Sequence, residues 1–194
     1  MKRWDKLNTK LLQKTRVFDL HVDRMRHPES GYEDDFYSLR VGDWANIIAL
    51  TTANEVVLVE QYRFGVHDFS LEIPGGFIDQ GEEPMATALR ELREETGYCA
   101  AKARALGAVY PNPAMQNNQM HYFFAPGASL AGEQALDPAE NIRVQLIPLA
   151  DIPAAILNRR ITHALTITAF MLLSLQLGNP LSGLELDLLS VTEP

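Results

Sequence analysis

The sequence predicts an α+β domain of the α/β/α sandwich type, in which a mixed β-sheet lies between helices and an antiparallel β extension precedes it. Three observations favour this class: β-rich segments fill the first third of the chain, one amphipathic helix follows, and strands then return before an apolar helical end. The predicted strands are residues 17–22, 36–40, 44–51, 56–62, 105–110, 119–125 and 142–148.

The amphipathic helix is predicted for residues 84–96. Pro84 stands at its first turn and Gly97 follows its last residue, which is the usual asymmetry of helix ends. Residues 152–177 predict a second, mostly apolar helix or a pair of helices. Polar, turn-rich loops are expected at residues 111–118 and 127–141.

The length of 194 residues fits one domain with a small amino-terminal extension. We expect residues 1–40 to form the β extension, residues 41–180 the main domain, and residues 181–194 a carboxy-terminal tail. A single subunit already has enough strands for the main sheet, so an additional hairpin would leave an exposed edge. The extension is therefore predicted to form a homodimer.

Composition restricts the partners that the sequence predicts. Hydrophobic residues make up 46% and charged residues 22%, the balance of an ordinary globular protein. A net charge of −8 argues against a protein that wraps nucleic acid, because that binding needs Lys and Arg against phosphates. The apolar runs are shorter than the roughly 20 residues of a membrane span, and no secretory signal follows the basic start. We expect no nucleic-acid partner, no membrane association and a cytoplasmic location.

The charges of the amphipathic helix are not those of a solvated face. Glu91, Glu94 and Glu95 stand at i, i+3 and i+4, so three carboxylates share one stripe. Like charges at this spacing destabilise a bare helix, and a divalent cation would compensate them; oxygen ligands favour Mg²⁺, or Mn²⁺ in its place. The stripe predicted to face the core contains Met85, Ala88, Leu89 and Leu92.

The helix and the loop before it resemble a known family. From Gly76 to Tyr98 the chain reads G-FIDQG-E-EPMATAL-R-E-L-R-E-E-T-G-Y. This segment is similar to the Nudix signature, G-x5-E-x7-R-E-U-x-E-E-x-G-U, where U is a bulky apolar residue. Every charged and glycine position matches, and only the aromatic Tyr98 departs from the usual aliphatic. The resemblance implies a Nudix fold and hydrolysis of a phosphoric anhydride.

By this resemblance, the carboxylates of Glu91, Glu94 and Glu95 are expected to bind the metal. The backbone carbonyl of Gly75 would add a ligand, and Glu82 would either reach the metal or pair with an arginine to brace the loop. Arg90 is that arginine. The resemblance implies that Arg90 orients the carboxylates, and Arg90 and Glu94 are counted with the catalytic residues.

A second resemblance covers roughly residues 17–170 and is to the ADP-ribose pyrophosphatase and nucleoside diphosphate sugar hydrolase branch. The segments VLVEQYR (57–63) and LEIPGG (71–76) carry it, together with Pro113 about fifteen residues beyond the signature. It implies that Arg63 and Pro113 contact substrate and that Glu72 contacts substrate or braces the loop. Trp44 is a candidate for stacking on the base, as are Phe64, Phe69 and Tyr122.

The loop DPAENIRVQ (137–145) resembles the segment that brings a general base to the attacking water in this branch. Glu140 is the residue we choose for that role, with Glu133 and Asp137 as alternatives. A mobile loop suits a group that closes over substrate. His163, farther along the chain, is expected to pack or to cap a helix.

The function predicted from these residues is metal-dependent cleavage of the pyrophosphate linkage in a nucleoside diphosphate sugar, such as ADP-ribose or GDP-mannose. The loop at 111–118 is more similar to that of members that accept several such sugars. Two alternatives stay open: a pyrophosphohydrolase acting on a dinucleotide or an RNA 5′ end, and a non-catalytic nucleotide-sensing module.

Overall fold

The computed structural model describes residues 1–178, which form two β-sheets and three α-helices. The tail predicted at residues 181–194 lies outside the described residues. Over the described part of the chain, no helix has both the length and the apolar composition needed to cross a membrane.

The amino-terminal sheet contains β1 (Asp5–Lys14), β2 (Asp19–Arg26) and β3 (Glu33–Arg40), paired antiparallel in that order. This sheet confirms the predicted antiparallel extension. Strand β1 was not predicted: all ten of its residues are exposed, and its apolar residues do not alternate with polar ones. A strand with no buried face leaves no periodic signal in the sequence.

The remaining strands form one mixed sheet. They are β4 (Trp44–Thr51), β5 (Glu55–Arg63), β6 (Asp68–Glu72), β7 (Gly75–Phe77), β8 (Tyr98–Cys99), β9 (Arg104–Val109), β10 (Met120–Leu130) and β11 (Ile142–Pro148). The main path runs β11-β5-β4-β10-β8, while β6, β7 and β9 pair with β5, β4 and β10. Only β4 and β10 pair in parallel among the described strands.

Helices cover both faces of the mixed sheet, as the predicted α/β/α sandwich requires. Helix α1 (Pro84–Thr96) packs on one face, and α2 (Ile152–Leu157) and α3 (Ala164–Gln176) lie on the other. Neighbouring residues of β4 point to opposite sides, so Ile47 belongs to the α1 core and Ile48 to the α3 core. Both are fully buried.

The predicted elements agree closely where a segment is buried. The bounds of α1, β4 and β11 match the prediction, and the apolar end is a pair of helices. Strand β10 extends to Leu130, so the prediction of a loop from residue 127 was wrong. The core-facing role of Met85 was also wrong: Met85 is exposed, and Thr87 is buried in its place. The short strands β6, β7 and β8 were not predicted.

Candidate active site

Helix α1 places the acidic stripe against the loop that precedes it. Pro84 stands in its first turn, and Gly97, at φ 74°, ends it by donating its N–H to the carbonyl of Arg93 at 2.8 Å. The left-handed conformation at Gly97 favours glycine because it has no Cβ. Between these ends, Glu91 and Glu95 lie on the side of the helix that faces Gly75 and Gly76 of β7.

Arg90 joins three glutamates. Its Nη1 donates to Glu91 Oε1 at 2.8 Å and to Glu94 Oε2 at 2.9 Å, while Nε and Nη2 donate to the two oxygens of Glu82, each at 3.1 Å. The hydrogen bonds from Arg90 lower the pKa of Glu82 to about 2. Glu82 therefore braces the loop against the helix through Arg90, and Arg90 orients Glu91 and Glu94.

Glu95 is almost completely buried, with 3% of its surface exposed. Its Oε2 accepts the N–H of Gly75 at 3.0 Å. Burial raises the pKa of Glu95 to about 8; the N–H of Gly75 opposes this rise, and the nearby carboxylates of Glu91 and Glu140 add to it. Burial also raises the pKa of Glu91, against the opposing effect of Arg90. This region holds more negative charge than its cations neutralise.

Two consecutive glycines let the loop approach the helix and the sheet. A Cβ at Gly76 would overlap the carboxylate of Glu91, and a Cβ at Gly75 would overlap the backbone carbonyl of Ala45. Gly75 is therefore required for steric reasons, whereas a side chain at residue 76 would displace the carboxylate of Glu91. The close approach puts the backbone of Gly75 beside Glu95, where its carbonyl was expected to bind a metal.

A cleft of about 310 Å³ opens above these residues. We call it the carboxylate cleft. Of the predicted site residues, those lining it are Trp44, Arg63, Gly75, Arg90, Glu91, Glu95 and Glu140. Glu82 and Glu94 lie outside its lining and are held by Arg90. Glu140, whose Oε2 accepts the N–H of Asp137 at 2.9 Å, approaches from the loop before β11.

A larger cavity of about 670 Å³ adjoins the carboxylate cleft, and Trp44, Arg63 and Gly75 line both. We call it the nucleotide-sized cavity, since ligand pockets usually have volumes of about 300–1,000 Å³. Residues from five regions line most of it: the amino-terminal extension, β4, the β5–β6 hairpin, the loop at 111–118 and the start of α3. Trp44 packs against Phe77 with ring centroids 4.2 Å apart.

Arg63 and Glu72 form an ion pair at the wall of this cavity. Arg63 donates from Nε to Glu72 Oε1 at 2.7 Å and from Nη2 to Glu72 Oε2 at 2.5 Å, which is the two-pronged geometry of a strong guanidinium–carboxylate pair. Burial alone would raise the pKa of Glu72, but the hydrogen bonds and positive charge of Arg63 bring it below its ordinary value. Glu72 is thus ionised although it is buried.

Residues 43–166 match the family described as the NUDIX domain. The chain belongs to the Nudix family. It is 33% identical over 162 residues to an ADP-ribose pyrophosphatase of Bacillus subtilis, covering 83% of this chain and 87% of that protein. It is also 33% identical over 171 residues to a methanol dehydrogenase activator of Bacillus methanolicus, covering 88% of this chain and 92% of that protein.

The fold of this Nudix chain is similar to that of a solved structure described as an ADP compounds hydrolase. The two superpose with a TM-score of 0.82 at 20% identity, covering 92% of this chain and 96% of the other. The high score over nearly the whole length confirms the predicted Nudix fold. At this identity the likeness concerns the fold alone.

Nudix hydrolases generally need a divalent metal ion. The carboxylate cleft offers the oxygen ligands that such an ion prefers, because Glu91, Glu95 and Glu140 all line it, and burial raises the pKa values of Glu91 and Glu95. Within residues 1–178, no three acidic, histidine or cysteine side chains converge on one point. The reason is visible in the contacts: Arg90 holds Glu91 and Glu94, while Glu95 bonds to the backbone of Gly75.

The Nudix chain keeps other predicted residues away from the two cavities. Pro113 lies in a separate pocket of about 350 Å³ between the loop at 111–118 and the amino-terminal sheet. Tyr122 is fully buried, so stacking on a base is excluded for it; Phe64 is 78% exposed and Phe69 is 65% exposed. Of these three aromatic residues, only Phe69 lines the nucleotide-sized cavity.

Sequence reasoning missed several residues of the site. Asn46 and Asn118 are buried at the nucleotide-sized cavity, and within the described residues Asn46 Nδ2 and Asn118 Oδ1 have no hydrogen-bond partner. His163 contacts Glu72, from which 90 residues separate it along the chain. No local pattern reports such a contact, although the polar asparagine inside the apolar run at residues 44–51 was a usable signal.

Proposed function

We propose that this Nudix protein is a metal-dependent hydrolase that cleaves the pyrophosphate linkage of a nucleoside diphosphate sugar, such as ADP-ribose or GDP-mannose, to a nucleoside monophosphate and a sugar phosphate. The observation that carries the proposal is the junction of the carboxylate cleft and the nucleotide-sized cavity at Arg63, Trp44 and Gly75. A pyrophosphate placed at this junction would lie beside the acidic cluster, with its organic half in the cavity.

The proposed metal is Mg²⁺, with Mn²⁺ as a substitute, since carboxylate and carbonyl oxygens suit hard cations. Its proposed ligands are the carboxylates of Glu91, Glu94 and Glu95 and the carbonyl of Gly75, with Glu82 bracing or adding a fifth. A bound divalent ion lowers the pKa of water and offsets charge on phosphate.

The side chains of the cleft have separate proposed tasks in the reaction. Glu140 accepts a proton from the attacking water while the water oxygen forms a bond to phosphorus. The bridging P–O bond then breaks and releases the second phosphate. Arg90 keeps Glu91 and Glu94 in position throughout. Arg63 donates hydrogen bonds to phosphate oxygens, for which its forked guanidinium is suited.

The proposed substrate contacts outside the cleft are Trp44, Glu72 and Pro113. Trp44 lines both cavities and offers an aromatic face to a base or sugar. Glu72 acts through Arg63, which it already binds. Pro113 lies in the pocket against the amino-terminal sheet, while Pro111 and Gln116 of the same loop line the nucleotide-sized cavity, so Pro113 is proposed to act through this loop.

We also propose a homodimer and a cytoplasmic location. The dimer is supported by β1, an edge strand of ten residues that is exposed throughout, with Leu7, Leu11 and Leu12 each more than 40% exposed. Light scattering tests the dimer, and fractionation of the producing cells tests the location.

The test of the activity is a panel of nucleoside diphosphate sugars incubated with Mg²⁺, with products separated by chromatography. ADP-ribose and GDP-mannose are compared with a dinucleoside polyphosphate and a 5′-triphosphate RNA, which represent the alternative reactions. We expect a nucleoside monophosphate and a sugar phosphate from at least one sugar substrate. The matched variants are Glu95→Gln, which removes a cleft carboxylate, and Glu83→Gln, which removes an exposed acid that makes no cap bond. Turnover of the RNA or dinucleotide alone, or equal activity of the two variants, would overturn the proposal.

A further inference from the structure

His163 connects helix α3 to the Arg63–Glu72 pair. Its Nδ1 lies 3.2 Å from Glu72 Oε2 and 3.2 Å from Thr166 Oγ1. Thr166 is itself fixed, because its hydroxyl accepts the N–H of Ile73 at 3.3 Å and its side chain is fully buried. The imidazole is therefore held between the first turn of α3 and the end of β6.

Glu72 transmits this contact to Arg63. Glu72 Oε2 accepts a hydrogen bond from Arg63 Nη2 and Oε1 accepts one from Arg63 Nε, while His163 Nδ1 lies in contact with Oε2 on the other side. A carboxylate held from two sides has one orientation, and so does the guanidinium that binds it in two places. The start of α3, the end of β6 and the end of β5 thus meet in one set of close polar contacts that ends at the arginine.

Arg63 is the side chain whose orientation matters for ligand binding. It lines both the carboxylate cleft and the nucleotide-sized cavity, and 37% of its side chain is exposed. Two of its three nitrogens are used by Glu72. Across residues 1–178 no protein acceptor bonds to Nη1, which leaves that nitrogen for a ligand oxygen at the junction of the two cavities.

Burial and the carboxylate of Glu72 act on the pKa of His163 in opposite directions. Burial lowers the pKa of His163, which favours the neutral ring. The titratable and charged groups that face the ring are Glu72 and, beyond it, Arg63.

We propose that His163 is a positioning residue for phosphate recognition, which acts by holding Glu72 and thereby the guanidinium of Arg63. The inference rests on the proposed function, since it takes Arg63 as a contact for the diphosphate of the substrate. His163 needs no contact with substrate for this role. The ligand chemistry that it serves is a nucleoside diphosphate.

The experiment measures the dissociation constant of ADP by calorimetry in a chelating buffer, so that no turnover or metal is required. His163→Leu should weaken ADP binding about tenfold, a change of about 1.4 kcal/mol, because the carboxylate of Glu72 loses one of its two anchors. His163→Asn should restore most of the affinity, because its amide nitrogen occupies nearly the place of Nδ1. The matched control is His121→Leu, which removes a partly buried histidine 3.7 Å from Asp43 and outside both cavities; it should bind ADP as the wild type does.

A double-mutant cycle shows whether His163 acts through Arg63. Arg63→Lys keeps the charge beside Glu72 but loses the two-pronged geometry. In that background His163→Leu should have no further effect on ADP affinity. Thermal melting of each variant provides the check on folding.

Three results would overturn the inference: unchanged affinity in His163→Leu, equal losses in the Leu and Asn variants, or the same loss with and without Arg63→Lys. Failure of the wild type to bind ADP would overturn it as well, and hydrolysis of nucleoside diphosphate sugars would still be tested separately. Conversely, if no sugar substrate is cleaved but the ADP pattern is found, the proposed function fails and the role of His163 stands.

Discussion

Two buried glutamates, Glu72 and Glu95, have pKa values that are shifted in opposite directions. Glu72 is 2% exposed and Glu95 is 3% exposed, so their burial is nearly equal. Arg63 and His163 surround Glu72, and its pKa lies below the ordinary value. Glu95 receives one backbone N–H and faces other carboxylates, and its pKa rises to about 8.

The difference arises because Glu72 has a cationic partner within the protein, Arg63, and Glu95 has only a backbone N–H. The chain supplies every partner that Glu72 needs, so this carboxylate belongs to a preformed wall of the nucleotide-sized cavity. For Glu95 the missing partner is a cation, and burial of an ionised acid without one is costly. The carboxylate cleft is therefore suited to binding a cation, whereas the wall of the nucleotide-sized cavity at Glu72 is already neutralised by Arg63.

Removal of the metal or of its ligands should have the largest effect. We expect Glu95→Gln, and likewise Glu94→Gln, to keep the fold and lower turnover at least about 10²-fold, because glutamine preserves shape but not the charge that binds metal. Chelation should abolish activity, and Mg²⁺ or Mn²⁺ should restore it. Steady-state kinetics of both variants beside Glu83→Gln provide the measurement.

Two outcomes would contradict this assignment. Near-wild-type turnover in Glu95→Gln would mean that the acidic cluster is structural. Restoration of activity by Zn²⁺ alone would mean that hard oxygen ligands do not form the site.

Glu140→Gln should have the next largest effect, a decrease in kcat of about 10²-fold, the lower end of the contribution that general bases make. The Mg²⁺ requirement and KM should remain near those of the wild type, which separates this residue from Glu95. Metal titrations and rates over a range of substrate concentrations test both points. Unaltered rates would transfer the role to another acid, first of all Asp137, which lines the same cleft.

Deletion of residues 1–40 should affect the cavity and leave the cleft intact. Val17, Phe18 and Leu39 line the nucleotide-sized cavity, and no residue before Trp44 lines the carboxylate cleft. We expect loss of dimerisation together with a rise in KM of about tenfold, and an unchanged metal requirement. Light scattering and kinetics on one sample measure both. A fully active monomer would show that the extension has no part in the site.

The smallest expected effect is on stability, in metal-free protein. Because the folded-state pKa of Glu95 is raised to about 8 from 4.5, the folded protein binds a proton that the unfolded chain releases, and stability falls as pH rises from 4.5 to about 8. Glu95→Gln should therefore raise Tm at pH 8 by at least about 2 °C in a chelating buffer. At pH 4 the two proteins should melt alike. Equal melting at pH 8 would mean that the cleft already balances the charge of Glu95.

The sequence was sufficient for the fold and for the acidic helix, because both depend on short-range patterns. A helical stripe, a capping glycine and an apolar strand are all visible within twenty residues, so α1, β4 and β11 were placed correctly. The fixed spacing from Gly76 to Tyr98 also identified the family, which the match over residues 43–166 confirms. The opposite acidities of Glu72 and Glu95 were not visible, since they depend on which groups surround each side chain.

Contacts between distant segments were also beyond the sequence. His163 stands at the N-cap of α3, as expected for a residue that packs or caps a helix, but its contact with Glu72 across the core was not predicted. Pro113 was expected beside the substrate, and it lies against the amino-terminal sheet. Each depends on how a loop of variable length folds back, for which neither periodicity nor spacing gives a signal.

The position of the Glu91 carboxylate depends on an uncharged residue, Gly76. The carboxylate of Glu91 occupies the volume where a side chain at residue 76 would begin. A single added methyl group would therefore push this acid out of place while every ionisable residue remained in the chain. Gly76→Ala is for that reason a suitable substrate-trapping form: the nucleotide-sized cavity and its arginine are untouched, so an intact ligand can be held there long enough to be crystallised.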